Sequence, residues 1–241
     1  MGKNLISQKR GKGSIRYRAH SFYYKAEASL PKTTPETRNG KVMDIVECPG
    51  HYAPLSVVVY DNGEECYTIA PEGIRVGEMV QAGENAELKL GNVLPLKNIP
   101  EGTSVFNIEN HPGDGGKFVR SSGGFAKVVA KLNDRITLLL PSKKRKEFNP
   151  ECRAIIGIIA GSGRTDKPML KAGNMYHKTK ARNTVWPSIS GTSQNSVNHP
   201  FGGSSSGHKG RPTIAPKHAP PGRKVGKIRP RQTGRGKGRK R

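Results

Sequence analysis

The chain of 241 residues is poor in acids, in aromatics and in long apolar runs. Aromatic residues make up 6% and hydrophobic residues 33% of it, too little for one globule to fill the whole length. The longest apolar run, Ala154–Ala160, is far short of the roughly 20 residues that span a bilayer, so no membrane segment is expected. The opening MGKNLISQKRGKG lacks an apolar core, so no secretory signal is expected either. Cys48, Cys66 and Cys152 are odd in number, widely spaced and without a CxxC pair, which argues against a zinc knuckle or a disulfide framework. They are read as small buried hydrophobes of a protein in a reducing, cytoplasmic compartment. No 3.6-residue apolar pattern of useful length marks a helix anywhere.

What is abundant is positive charge. Lys and Arg number 42 against 18 acids, a formal net charge of +24, and a chain so charged repels itself unless a polyanion neutralises it. The charge is unevenly placed. Residues 1–33 hold 8 basic and 1 acidic side chains, residues 34–116 hold 5 and 13, residues 117–170 hold 12 and 4, and residues 171–241 hold 17 and none. Four regions follow: a basic arm (1–33), two folded regions (34–116 and 117–170) and a basic extension (171–241). The extension carries 11 Gly and 7 Pro, so it is expected to lack a packed core and to order along a charged surface. The 13 acids of residues 34–116 read as a solvated face turned away from the polyanion.

The middle of the chain reads as β. Runs at Lys41–Glu47, Leu55–Tyr60, Glu65–Ile69, Glu87–Leu90 and Ser104–Ile108 are separated by Gly-containing turns, with Tyr60–Glu64 (YDNGE) a hairpin signal. After a glycine-rich break at Pro112–Gly116 come Phe125–Leu132, Arg135–Leu140, Lys144–Phe148 and Cys152–Ala160, with Asn133-Asp134 as a tight turn. Short strands at this spacing indicate two small barrels in an all-β protein.

Phosphate neutralisation and base stacking name the contact candidates. In the arm they are Lys9, Arg10, Lys12, Arg16 and Arg18, with Tyr17 and Tyr23 interleaved. In the extension they are Lys171, Lys178, Lys180, Arg182, Arg223, Lys224 and Lys227, with Trp186 among them. Phe22, Tyr24, Tyr176 and Phe201 are further stacking aromatics. Enzymatic readings fare worse. Gly161–Thr165 (GSGRT) lacks the lysine of a phosphate-binding loop, whose first glycine would fall on Ile158, and a dinucleotide motif would need its third glycine at Asp166. Cys152 lies beside a β-branched run and reads as a buried thiol. No catalytic residue, cofactor or protein-only metal site is assigned; Mg²⁺ or K⁺ is expected only with the nucleic acid. Composition alone leaves an architectural DNA-binding protein open, because counterion release does not depend on the sugar.

The motifs decide further. NVLPLKNIP (92–100), PGDGGKFVR (112–120), CRAIIG (152–157), GRTDKP (163–168), KAGN (171–174), Trp186-Pro187, HPFGG (199–203) and APPGRKVG (219–226) stand in an order that closely resembles large-subunit ribosomal protein L-two, in its archaeal and eukaryotic form. Arg10–Lys25 is similar to that family's basic arm. The resemblance implies an OB-fold barrel followed by an SH3-like barrel, with long basic irregular extensions at both ends buried in large-subunit rRNA. It implies a non-catalytic role near the peptidyl transferase region, supporting rRNA folding, subunit association and tRNA placement. The partners it implies are large-subunit rRNA, neighbouring ribosomal proteins and the small subunit across the interface, with no membrane and no homo-oligomer. Carried over by motif, Lys117, Arg120 and Arg153 join the RNA-contact candidates, as do Asn198, His199, Gly202 and Gly203 of the HPFGG turn. The family's acidic residue before this histidine is Asn198 here, its small residue or Pro is Ser196 and its common Met is Gln194. Asparagine has no charge with which to raise the basicity of His199.

Overall fold

Alternating apolar and polar residues fold as strands in a computed structural model that describes residues 4–34, 36–132, 134–203 and 207–230. Ten strands are hydrogen-bonded together: β1 (Arg38–Val46), β2 (Leu55–Tyr60), β3 (Glu65–Ile69), β4 (Met79–Ala82), β5 (Val93–Pro95), β6 (Ser104–Phe106), β7 (Ala126–Leu132), β8 (Arg135–Leu139), β9 (Arg145–Phe148) and β10 (Arg153–Ile156). Their order is β3-β2-β1-β4-β5-β10-β6-β7-β8-β9. Among the described residues α-helix is confined to α1 (Ile6–Gly11) and α2 (Ala172–Ala181), and a short parallel pair joins β11 (Ile214–Ala215) to β12 (Lys227–Ile228). The sheet belongs to one unit, residues 21–175; the described residues among 1–20 and 176–241 make another.

Register explains how one sheet serves two hydrophobic clusters. On β5, β10 and β6, Val93, Ile155 and Phe106 lie on one rung and enter the first cluster. The adjacent rungs pair Leu94 with Ala154 and Val105 with Ile156, and these enter the second. A slip of one residue would exchange every one of them, so the register is strongly specified. The first cluster is completed by β1 to β4, including Val42, Leu55, Val58 and Val80. The second draws on β7 to β9 through Val128, Ile136, Leu138 and Phe148. The second also takes Ala86, Leu94, Leu96, Ile99 and Ile108, while Val93, Phe106, Ile155 and Ile159 join the first, so the two clusters interleave along the chain from residue 86 to residue 159.

Several elements stand where the sequence places them. β2 and β3 match to the residue, and Gly63 closes their hairpin at φ +80°, with its N–H donating to Tyr60 O at 2.9 Å. Others differ. Glu87–Leu90 alternates like a strand yet forms a turn, because the buried Asn92 donates its side-chain amide to Glu87 O at 2.9 Å and leaves Leu88 and Leu90 exposed. β4 and β5 escape sequence reading because each is short and one ends in proline. The last expected strand stops at Ile156, where Gly157 takes φ +123°. Asn133 of the expected tight turn lies outside the described residues, although Leu132 and Arg135 pair on either side of it. Gly161–Thr165 is a glycine turn: Gly161 adopts φ +78° and a single 3-10 turn follows.

One ion pair ties these parts together. Glu109 is 0% exposed, and its carboxylate accepts bonds from Arg153 Nη2 at 2.6 Å, Arg153 N at 2.8 Å and Gly115 N at 3.3 Å. Arg153 Nη1 donates in turn to Pro31 O at 2.7 Å. Pro31, the loop of residues 109–115 and Arg153 are therefore linked through one buried carboxylate and its arginine. Beside it, three backbone N–H bonds, from Gly116, His111 and Asn110, outweigh the opposing effect of burial and hold the Asp114 carboxyl below its ordinary range. Removing one member of a buried pair leaves the other charge uncompensated, which costs about 3–5 kcal/mol. Glu109→Ala should lose that much in urea-induced unfolding, whereas Glu147→Ala, which breaks the exposed pair with Arg135, should leave the midpoint unchanged. Equal effects would remove Glu109 from its structural role.

Candidate nucleic-acid interface

The helix α2 begins the extension, and its end determines where the arm lies. Asn183 takes φ +53°, its N–H donates to Lys180 O at 3.2 Å and that of Thr184 to Thr179 O at 2.9 Å. This is a Schellman ending with asparagine in the left-handed position, the residue that tolerates it best after glycine. Its carbonyl then accepts Arg10 Nη2 at 2.9 Å, and its side-chain amide donates to Tyr17 O. Arm and extension are thus clipped within a single unit. Sequence reading missed both α2, which buries only Thr179 and so has no apolar stripe, and the role of Asn183. Two apolar residues of the extension, Phe201 and Ala215, are buried, although neither joins a hydrophobic cluster. Arg223 closes the segment by donating to Pro212 O at 3.3 Å and Ile214 O at 3.0 Å.

The HPFGG segment is a tight turn. His199 N donates to Asn195 O at 3.1 Å, Gly202 N to His199 O at 2.9 Å, and Gly203 N to Gln194 O at 3.2 Å. The ring also takes part, since His199 Nδ1 accepts the Phe201 N–H at 3.0 Å. That bond requires an unprotonated Nδ1 and so leaves the proton on Nε2. Burial lowers the basicity of the ring in the same direction. A Cβ on Gly202 would lie 2.4 Å from Gln194 O, so only glycine fits the crossing. Asn198 is exposed.

The remaining candidates separate into outward charges and internal clamps. Lys9, Lys12, Arg16, Lys117, Lys171, Lys180, Lys224 and Lys227 are exposed. Arg16 stands 5.9 Å from the Tyr17 ring centre, and Tyr23 is exposed with its ring 4.3 Å from that of Phe22. Lys178, Arg182 and Trp186 are half-buried. Arg10 and Arg18 hold backbone carbonyls, the latter Gly13 O at 2.8 Å. Arg120 and Arg153, both half-buried, also hold the protein itself. Arg120 donates to Gly116 O at 3.1 Å and Ala28 O at 2.5 Å, and the Arg153 guanidinium donates to Glu109 and Pro31. Sequence position does not reveal these buried acceptors. Cys152 is fully buried; desolvation and the Glu109 charge push its thiol up to about 11, so it is inert as a nucleophile. Among the described residues no group of three or more His, Cys, Asp and Glu side chains is gathered as a metal site, and no helix is long and apolar enough to cross a membrane.

Comparison with known proteins bears on this geometry. Residues 3–82 match the family described as Ribosomal Proteins L2, RNA binding N-terminal domain, and residues 89–223 match Ribosomal Proteins L2, C-terminal domain. The chain is 50% identical over 234 residues to large ribosomal subunit protein uL2 of Archaeoglobus fulgidus, covering 97% of this chain and 99% of that protein. It is 49% identical to the uL2 of Methanococcoides burtonii, covering 98% and 100% of the two chains.

The turn at His199 is open to a direct test. A histidine whose folded form is less basic than its ordinary value of about 6.5 contributes stability above that value, lost as the pH falls through it. Protection of the Phe201 amide against hydrogen exchange, corrected for intrinsic rate, should therefore fall between about pH 7.5 and about pH 5.5. His199→Ala should show weak protection throughout. A pH-independent protection in the unaltered chain would refute the Nδ1 bond.

Proposed function

The chain belongs to the ribosomal protein L2 family, the uL2 proteins of the large subunit, and from that premise we propose that its clipped arm and extension are the surfaces that hold large-subunit rRNA. It is a structural, RNA-binding protein of the large ribosomal subunit in translation, not an enzyme. The observation that carries the finer reading is the outward set of lysines on an extension without acids, whose path the protein itself sets through Asn183. Such side chains neutralise phosphates and release counterions, and the exposed Tyr23 offers a face on which a splayed base can stack.

The reading assigns the first hydrophobic cluster to an OB-fold-like barrel and the second to an SH3-like barrel, between an arm of residues 1–33 and an extension of residues 171–241. The limit between the barrels is placed at residues 116–117. Residues 1–3, 204–206 and 231–241 of the two ends lie outside the described residues. The two basic ends are assigned to the peptidyl transferase region. There the HPFGG turn supports tRNA placement by shape, and neighbouring ribosomal proteins and the small subunit complete the surroundings. The acidic face of residues 34–116 is the part most distant from RNA.

The test is a salt titration of the full chain on a large-subunit rRNA fragment and on duplex DNA of equal length. Affinity should fall steeply with salt and favour the rRNA. Replacing the exposed Lys171, Lys180, Lys217, Lys224 and Lys227 by Gln should reduce the log–log slope by about 4, at roughly 0.7–0.9 per phosphate contact. Equal affinity for duplex DNA, or an unchanged slope, would overturn this assignment.

A further inference from the structure

A second basic surface lies on the folded sheet, away from both ends in sequence. The β8–β9 hairpin carries four consecutive cations, Lys143–Lys146, that the strand alternation splits. Lys146 turns inward. Its Nζ stands 3.7 Å from the Phe118 ring centre and 4.8 Å from that of Phe148, and donates to Asn110 Oδ1 at 2.7 Å. The other three are exposed. Arg145 also shares a rung with Leu139 and Lys127, since Lys127 pairs with Leu139 on β8 and Leu139 with Arg145 on β9. Two strand spacings set Lys127 and Arg145 about 10 Å apart on one face.

The hairpin tip is built for charge at a position that favours glycine. In the β2–β3 hairpin, Tyr60 N donates to Glu64 O, and Gly63 N, at φ +80°, donates to Tyr60 O. The β8–β9 hairpin repeats that pattern with Leu140, Lys143 and Lys144, and puts Lys143 at φ +60° where the other has Gly63. Glycine enters this region freely, whereas the Cβ of lysine is penalised there. A strained residue held in place by its surroundings points to a function for its side chain. Among the described residues, no carboxylate pairs with Lys127, Lys143, Lys144 or Arg145, because the acid on the same hairpin, Glu147, is bound to Arg135 at 2.7 Å.

We propose that Lys127, Lys143, Lys144 and Arg145 form a preformed clamp for the phosphate backbone of double-helical RNA. The proposal rests on the RNA-binding reading above and deepens it by naming a folded contact surface and the form of RNA that it takes. Residues 139–145 contain no aromatic side chain, so the tip offers charge without the stacking platform that single strands need. Charges fixed on a sheet suit a backbone of fixed geometry, and the shallow minor groove of A-form RNA leaves both of its backbones accessible.

The test compares the full chain with its K127Q/K143Q/K144Q/R145Q variant on an RNA duplex and on a single strand of equal length, across a range of salt. The log–log slope on the duplex should fall by about 3 to 4, at roughly 0.9 per contact, with a smaller fall on the single strand. A second variant, Lys143→Gly, keeps the hairpin and relieves the backbone: its thermal midpoint should equal or exceed that of the unaltered chain, while its duplex slope falls by about 1. An unchanged duplex slope with the unaltered chain still binding RNA would overturn the clamp alone, as it would if the hairpin took an acidic protein segment instead. Equal losses on both RNAs would overturn the choice of duplex. Failure of the unaltered chain to bind either RNA would instead overturn the reading on which the clamp rests.

Discussion

A carboxylate with no exposure must find its partners inside the protein, and the pairing of Glu109 with Arg153 is the constraint from which the rest of the fold is laid out. Arg153 opens β10, which lies between β5 and β6 and feeds both hydrophobic clusters from its two faces. The same guanidinium holds Pro31, and Arg120 holds Ala28, so the root of the basic arm is fixed by two arginines about 90 and 120 residues further along the chain. Glu109 also accepts the N–H of Gly115 and thereby shapes the glycine-rich loop that carries the exposed Lys117.

The sequence was legible where one physical rule acts alone. Alternation with β-branched residues located β2 and β3, whose hairpin closes on a glycine. The uneven distribution of Lys and Arg located the two basic ends. It was illegible where partners decide. Glu109 is one of thirteen acids in residues 34–116 that composition reads as a solvated face, and nothing local distinguishes it from the exposed Glu101. Arg120 and Arg153 carry the charge expected of RNA contacts, yet each lies beside backbone carbonyls brought from more than 90 residues away. Helix α2 escaped because periodicity reports an apolar face, and a helix whose one buried residue is a threonine has none.

The extension shows how a segment of little hydrophobicity acquires a definite path. Ordering a residue costs about 1–2 kcal/mol of backbone entropy, which a glycine- and proline-rich chain cannot recover through apolar burial. Here polar geometry offsets part of that cost. Asn183 ends a helix and holds the arm with the same residue, Arg223 gathers two carbonyls, and the His199 ring accepts the amide of Phe201. These contacts use few side chains, so the lysines between them remain outward.

That division of labour bears on the histidine. A general base at His199 would need a carboxylate to raise its basicity and a free nitrogen to accept a proton. Asn198 supplies no charge, burial lowers the basicity, and Nδ1 is already engaged by the backbone of its own turn. The Nε2–H that remains is a donor, suited to holding an acceptor oxygen or ring nitrogen in place. Gly202 crosses Gln194 and Asn195 at a separation that admits no side chain, so the turn is specified by shape as closely as any part of the sheet. Shape and donor geometry, not proton transfer, are what this turn offers.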